Sequence, residues 1–114
     1  MDEEKPESTQ EGGTLAPGAV IAERLLLCAP AGAPARQVML RVMAPMPATD
    51  GWICEAELAN LFRDRASARG VDSLQALQLV LGAVHEALES MIRDGGRVAW
   101  ADGSPFLSVD DLRR

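Results

Sequence analysis

Gly70-Val71-Asp72-Ser73-Leu74-Gln75-Ala76-Leu77-Gln78-Leu79 starts the longest periodic segment of a 114-residue chain, and the remaining sequence is arranged around it. Asp72 is placed to accept hydrogen bonds from the free N–H groups of a first helical turn. Gln75, three residues on, can return the bond, which is a capping box with Asp in the cap. The helix is expected to stop near Asp94, because Arg93 suits the negative end of the helix dipole and Gly95-Gly96 supplies a left-handed cap. Roughly 22 residues at about 1.5 Å each give a rod of about 33 Å.

The faces of that helix are unequal. At about 100° per residue, Gln75, Gln78, Gly82, His85, Glu86, Glu89 and Arg93 fill an arc of roughly 100°. Leu74, Ala76, Leu77, Val80, Leu81, Val84, Ala87, Leu88, Met91 and Ile92, extended by Leu79 and Ala83, span roughly 220°, more than one sheet face covers. Another segment of the chain, or a partner, is needed on the flank. Leu79, Ala83, Gly82 and Glu86 are therefore the candidate protein-interface residues.

Before the helix, residues 19–29 turn apolar and partly β-branched and read as a strand. Pro30-Ala31-Gly32-Ala33-Pro34 is a connector that can join neither a helix nor a central ladder. A second strand follows over 36–43, with Val38, Leu40 and Val42 on one face and Met39, Arg41 and Met43 on the other. Residues 44–51 read as a loop with prolines and an Asp-Gly turn. Residues 52–58 admit two readings. As a strand, Trp52, Cys54, Ala56 and Leu58 oppose Glu55 and Glu57; as a helix from Glu55, Leu58, Leu61 and Phe62 form a stripe. The alternation begins at Trp52, directly after a turn, which favours the strand. Residues 60–70 read as an irregular connector. After the helix, 97–100 and 105–107 flank Ala101-Asp102-Gly103-Ser104 as a short hairpin, and 109–114 is a polar end. The expected fold is α+β, an antiparallel sheet in the order β-β-β-α-β-β with one long helix packed across one face.

Composition sets the frame around this core. Residues 1–14 have no apolar periodicity and read as a disordered acidic tail, leaving 15–114 as a single α+β domain. Of the formal charge of −6, the tail accounts for −4, with five acids against Lys5, so the body carries only −2. No basic stripe suits a nucleic acid. No apolar run is long enough for a bilayer, and the N-terminus is acidic where a signal peptide is basic, so a cytoplasmic location is expected. Cys28 and Cys54 read as small buried residues in a reducing compartment, a single bridge between them being the alternative; with one histidine they make no typical zinc site. No metal or cofactor is expected.

Three constellations bear on chemistry. Gly-x-Asp-Ser-Leu at a helix start resembles the phosphopantetheine attachment motif of acyl and peptidyl carrier proteins, which would make Ser73 the modified residue, its phosphodiester favoured by the helix N-terminus. The same letters describe an ordinary capped helix, and the strand-like neighbours do not suit a four-helix carrier bundle. Arg63, Arg65 and Arg69 near that N-terminus could hold a small anionic ligand, or simply be solvated arginines on a connector. His85, one turn before Glu89, has the spacing of a catalytic pair and equally of a surface ion pair, with no nucleophile placed beside it. The residues therefore point away from an enzyme.

Trp52-Ile53-Cys54, the Gly70 to Leu79 stretch, and Gly96-Arg97-Val98-Ala99-Trp100 together resemble a group of small uncharacterised bacterial proteins classed as a domain of unknown function. The resemblance runs from about Ile21 to Phe106. It implies a small α+β domain with a helix on an antiparallel sheet, supports the strand reading of 52–58, and supplies no activity or catalytic residue. The functional expectation is a non-enzymatic protein-binding module, such as an immunity or adaptor protein for a toxin or effector, with another protein or a second copy of itself as partner. A carrier modified at Ser73 and an anionic-ligand binder at the helix N-terminus are the competing expectations.

Overall fold

The computed structural model describes residues 18–104. The acidic tail expected over 1–14, the strand expected over 105–107 and the polar end over 109–114 lie outside the described residues. Six strands and one helix follow in the order β1 (Val20–Ala29), β2 (Arg36–Met43), β3 (Met46–Ala48), β4 (Gly51–Ala59), β5 (Ala66–Gly70), α1 (Ser73–Arg93) and β6 (Arg97–Trp100). The strands form one antiparallel sheet with α1 laid on it, as the alternation and the capped periodic segment predict.

β4 is the most heavily paired strand. On one edge its second half pairs with β2 and its first half with β3; on the other edge it pairs with β5. β2 and β3 are two halves of one extended run. Between them Met43, Ala44 and Pro45 face only Cys54 and Glu55, a local bulge at which the Cys54 Sγ donates to the Met43 carbonyl at 3.2 Å. β1 pairs with β2 on one side and, through its last four residues, with β6 on the other. β4 is followed by Asn60, which adopts a left-handed φ of 76° and donates its Nδ2 to the Gln37 carbonyl at 2.9 Å.

Register explains the core. In the long ladders even-numbered residues pair with even-numbered ones, apart from a slip at Val20, so one face collects Leu26, Cys28, Val38, Leu40, Val42, Cys54, Ala56, Leu58 and Val98. On this face α1 buries Ala76, Val80, Val84 and Leu88, every fourth residue, with Leu77, Met91 and Ile92 partly buried beside them. The closed stripe is narrower than the apolar arc in the sequence: Leu74, Leu79 and Leu81 remain 60%, 49% and 44% exposed.

Two strands depart from expectation. Met46–Ala48 was expected to be loop and pairs with the start of β4; its proline sits in a three-residue ladder. Residues 60–70 were expected to be an irregular connector, and their second half is β5. Its inward positions are Ala66, Ala68 and Gly70, none of them β-branched, because the helix passes directly overhead. A Cβ on Gly70 would come within 2.4 Å of the Ala76 nitrogen, so close approach dictates small residues and erases the usual strand signal.

Both helix ends form as their chemistry directs. The Asp72 Oδ1 accepts from Gln75 N at 2.8 Å, and the Gln75 Oε1 accepts from Val71 N at 2.7 Å, one residue earlier than in the usual capping box. At the far end Gly96 N bonds to the Met91 carbonyl at 2.9 Å and Gly95 N to that of Ile92 at 3.0 Å, with Gly95 at a φ of 100°, a Schellman stop. No helix among the described residues is long and apolar enough to cross a membrane.

Candidate functional site

Helix α1 packs mainly on β5 and β4 and reaches β6 at its end, so it crosses the sheet obliquely and leaves a wedge open on each side. The larger wedge, about 490 Å³, lies between α1 and the β1–β2 pair. Its floor is Ala22, Arg24, Leu40 and Val42 from the strands; its wall is Gln78, Leu81, Gly82, Val84 and His85 from the helix; Glu23 stands at the rim. This volume lies within the range of roughly 300–1,000 Å³ usual for ligand and anchor-residue pockets. Arg24 sits over the Trp100 ring, 5.1 Å from its centroid, which ties the groove's charged residue to β6. The smaller wedge, about 390 Å³, lies on the opposite side, where Phe62, Arg63 and Asp64 overhang Leu58, Ala66 and Ala87.

The candidate interface residues divide between the flanks. At about 100° per residue, Leu79, Ala83 and Glu86 fall on the side of α1 away from the larger wedge. Gly82 alone of the four lines it. Leu74, Gln78, Leu81 and His85 share the groove-side flank. Periodicity does not single out this flank, because which side of α1 borders the larger wedge depends on the crossing direction of the helix.

The arginine constellation does not converge on the helix N-terminus. Arg65 turns to the reverse face, where its Nη1 meets Glu55 at 3.0 Å and its Nε meets Glu57 at 3.4 Å. Arg69 stands opposite Ile53 in β5, also on the odd-numbered, reverse face, while Arg63 and part of Arg65 line the smaller wedge beside α1. The first turn of the helix is bonded to its own Asp72 and Gln75, and Ser73 is exposed on a helix that packs against a sheet. His85 lines the larger groove, while Glu89 approaches Arg93 at 3.5 Å, so the His85–Glu89 pairing is not what organises this flank.

The reverse face carries a ladder of charges. Arg41 in β2 joins Glu23 of β1 and Glu57 of β4, both at 2.9 Å, and Arg65 extends the chain of contacts to Glu55. The hydrogen bonds that Arg41 donates to Glu57 and then to Glu23 push its guanidinium above its ordinary value. Cys28 and Cys54 are free thiols, both sealed in the core. Burial raises both above their ordinary value, Cys28 to about 11. Among the described residues no group of three or more His, Cys, Asp or Glu side chains is placed to hold a metal ion.

The architecture is thus that of a small α+β domain, one long helix set obliquely on a six-stranded antiparallel sheet. Residues 22–106 match the family described as a domain of unknown function (DUF6968), and the chain belongs to that family. Comparison with curated proteins and with solved structures gave no match.

Proposed function

We propose that this chain is a non-enzymatic protein-binding module whose docking surface is the groove between α1 and the β1–β2 pair. The observation that carries this reading is the groove itself, an apolar trough of about 490 Å³ whose wall includes Leu81, 44% exposed. A partner side chain seated there meets Leu40, Val42, Leu81 and Val84, with Arg24, Gln78 and His85 as the polar residues of the lining. This is the pattern of an apolar anchor with a polar rim. An immunity or adaptor role in the cytoplasm, holding a toxin or effector, is the concrete form we favour. We place the docking flank at Gln78, Leu81 and His85, which line the larger of the two wedges, in preference to Leu79, Ala83 and Glu86 on the other side of α1.

The test is stoichiometric co-purification from the native host with wild-type, Leu81→Lys and Leu79→Lys chains, each checked for unchanged thermal stability. A defined partner recovered by the wild type and the Leu79 variant, and lost by about tenfold with the Leu81 variant, supports the reading. Recovery of no stoichiometric partner, or equal loss with both variants, removes it.

A further inference from the structure

Strand β5 is an open edge of the sheet. Among the described residues no strand pairs with its outer side, although it runs five residues in unbroken register along β4. Alternate residues of such a strand turn their N–H and C=O groups outward. β5 also carries none of the devices that usually blunt an edge: no proline, no lysine, no bulge, and no charge on the face toward the helix. We propose that this edge pairs antiparallel with β5 of a second copy of the chain, about a two-fold axis at Ala68, joining the two sheets into one.

Register is the first argument. A two-fold perpendicular to the sheet sets even-numbered residues opposite even-numbered ones, so both helices lie on the same side. Three such registers overlap by three or more residues of β5. Centred on Ser67, the pairing puts Arg69 opposite Arg65 of the second copy; centred on Arg69, it puts that arginine opposite its own counterpart. Both set like charges directly across the ladder. Centred on Ala68, Arg69 meets Ser67 of the second copy, Ala66 meets Gly70, and no charges collide.

The helix supplies the second argument. Gly70 lies close against Ala76, and Ala66 shares the smaller wedge with Val84 and Ala87, so α1 runs antiparallel above β5 with the turn around Val80 over Ala68. On the flank away from the larger wedge that turn carries Leu79, 49% exposed, and Ala83. Strands about 4.8 Å apart place β5 about 2.4 Å from the axis and β4 about 7.2 Å from it. Helices pack at about 8–10 Å, so each belongs about 4.5 Å from the axis, between those two strands. β5 and β4 are the strands on which α1 packs. One two-fold therefore pairs the edges and also brings the Leu79 flanks of the two helices together, with the small Ala83 allowing the approach. An unrelated extended peptide would fill the edge and leave Leu79 in solvent. This surface lies across α1 from the groove proposed above, so it stands whether or not that groove takes a partner.

The experiment is sedimentation velocity on the full chain. Five edge residues and one helix flank make less than a standard interface, so the dissociation constant falls in the micromolar range or above, and about 5 to 500 µM is the span to cover. The expected result is a reversible monomer–dimer equilibrium. Leu79→Lys weakens it at least about tenfold. Ser67→Arg weakens it about fivefold by setting two arginine pairs across the ladder, while within its own chain residue 67 faces Glu55. Adding Arg69→Glu to Ser67→Arg restores the dimer, because each new carboxylate then faces an arginine of the other copy. Hydrogen exchange of the amides at 66–70 slows as concentration rises, and that at 97–100 does not. Positions 67 and 79 are both exposed, equal melting temperatures of the dilute chains show an intact monomer, and either variant carries the test if the other fails to fold. A chain still monomeric at the highest concentration, a dimer insensitive to Leu79→Lys, a Ser67→Arg loss without rescue, or protection confined to other strands overturns the proposal.

Discussion

Beneath α1, the sheet presents Leu26, Cys28, Val38, Cys54 and Ala56 with no measurable exposure, whereas on the reverse face Arg41, Glu57 and Glu55 keep between a quarter and a third of their side-chain surface in solvent. The same strands build both faces, residue by residue in alternation. The helix face is held by close packing, in which every atom has a neighbour and few substitutions fit. The reverse face is held by partners that water screens and can replace. Substitutions on one strand should therefore have very different consequences depending only on whether the position is even or odd.

Strand β5 offers the sharpest break of that comparison, and the largest expected effect. Gly70→Ala places a methyl 2.4 Å from the Ala76 nitrogen, backbone that can yield only if α1 lifts from the sheet. We expect a loss of about 3 kcal/mol in urea unfolding, at the upper end for overpacking. Arg69→Ala, one residue earlier and on the reverse face, should change stability by no more than about 0.5 kcal/mol. Equal effects of the two would refute the division between faces. Leu88→Ala, which empties a fully buried position of α1, should cost a comparable amount, about 3 kcal/mol.

Sequence alone disclosed the packed face more fully than the exposed one. Alternation in Val38, Leu40 and Val42, and in Cys54, Ala56 and Leu58, places those side chains on a common face before any coordinates are known, and Asp72 with Gln75 and Gly95-Gly96 mark both ends of the helix. β5 escaped because proximity to the helix selects alanine and glycine, residues whose strand preference is poor. The width of the apolar arc also foretold that α1 would overhang its sheet. It did not tell which flank, since the side of an oblique crossing that Leu79 and Leu81 each occupy is not encoded in periodicity. The charge ladder was half legible: Glu55 and Glu57 were readable as an outward pair, but their bonds to Arg65, and Arg41's position between Glu23 and Glu57, follow from register across three strands.

Alkaline pH probes the packed face without mutation. Burial holds the Cys28 thiol protonated up to about 11, against a reference value of 9.0, so between those values the folded chain retains a proton that the unfolded chain has released. Stability is then full below about pH 9 and falls as pH rises toward 11, because the unfolded state binds fewer protons. Cys54, also raised by burial, adds in the same direction. The urea midpoint should decline over this window in the wild type and decline less in Cys28→Ala. An identical slope in the two would show that the thiol is not sealed. Native-state alkylation at pH 8 should leave both cysteines unmodified until urea is added.

The smallest expected effect belongs to the ladder. Arg41 makes two contacts at 2.9 Å, yet a third of its side chain is exposed, and both carboxylates it serves can be rehydrated when it is removed. Such pairs typically contribute below about 1 kcal/mol. Arg41→Met keeps much of the aliphatic stem against its neighbours, so what it reports is the charge; we expect a small loss of stability, the least of the series, that shrinks further as salt rises. Combining it with Glu57→Gln in a double-mutant cycle isolates the shared term, since Glu57 also faces Arg65 at 3.4 Å and has a second partner when Arg41 is gone. A large coupling, insensitive to salt, would mean that this face is desolvated in solution and that the two faces are more alike than their side chains imply.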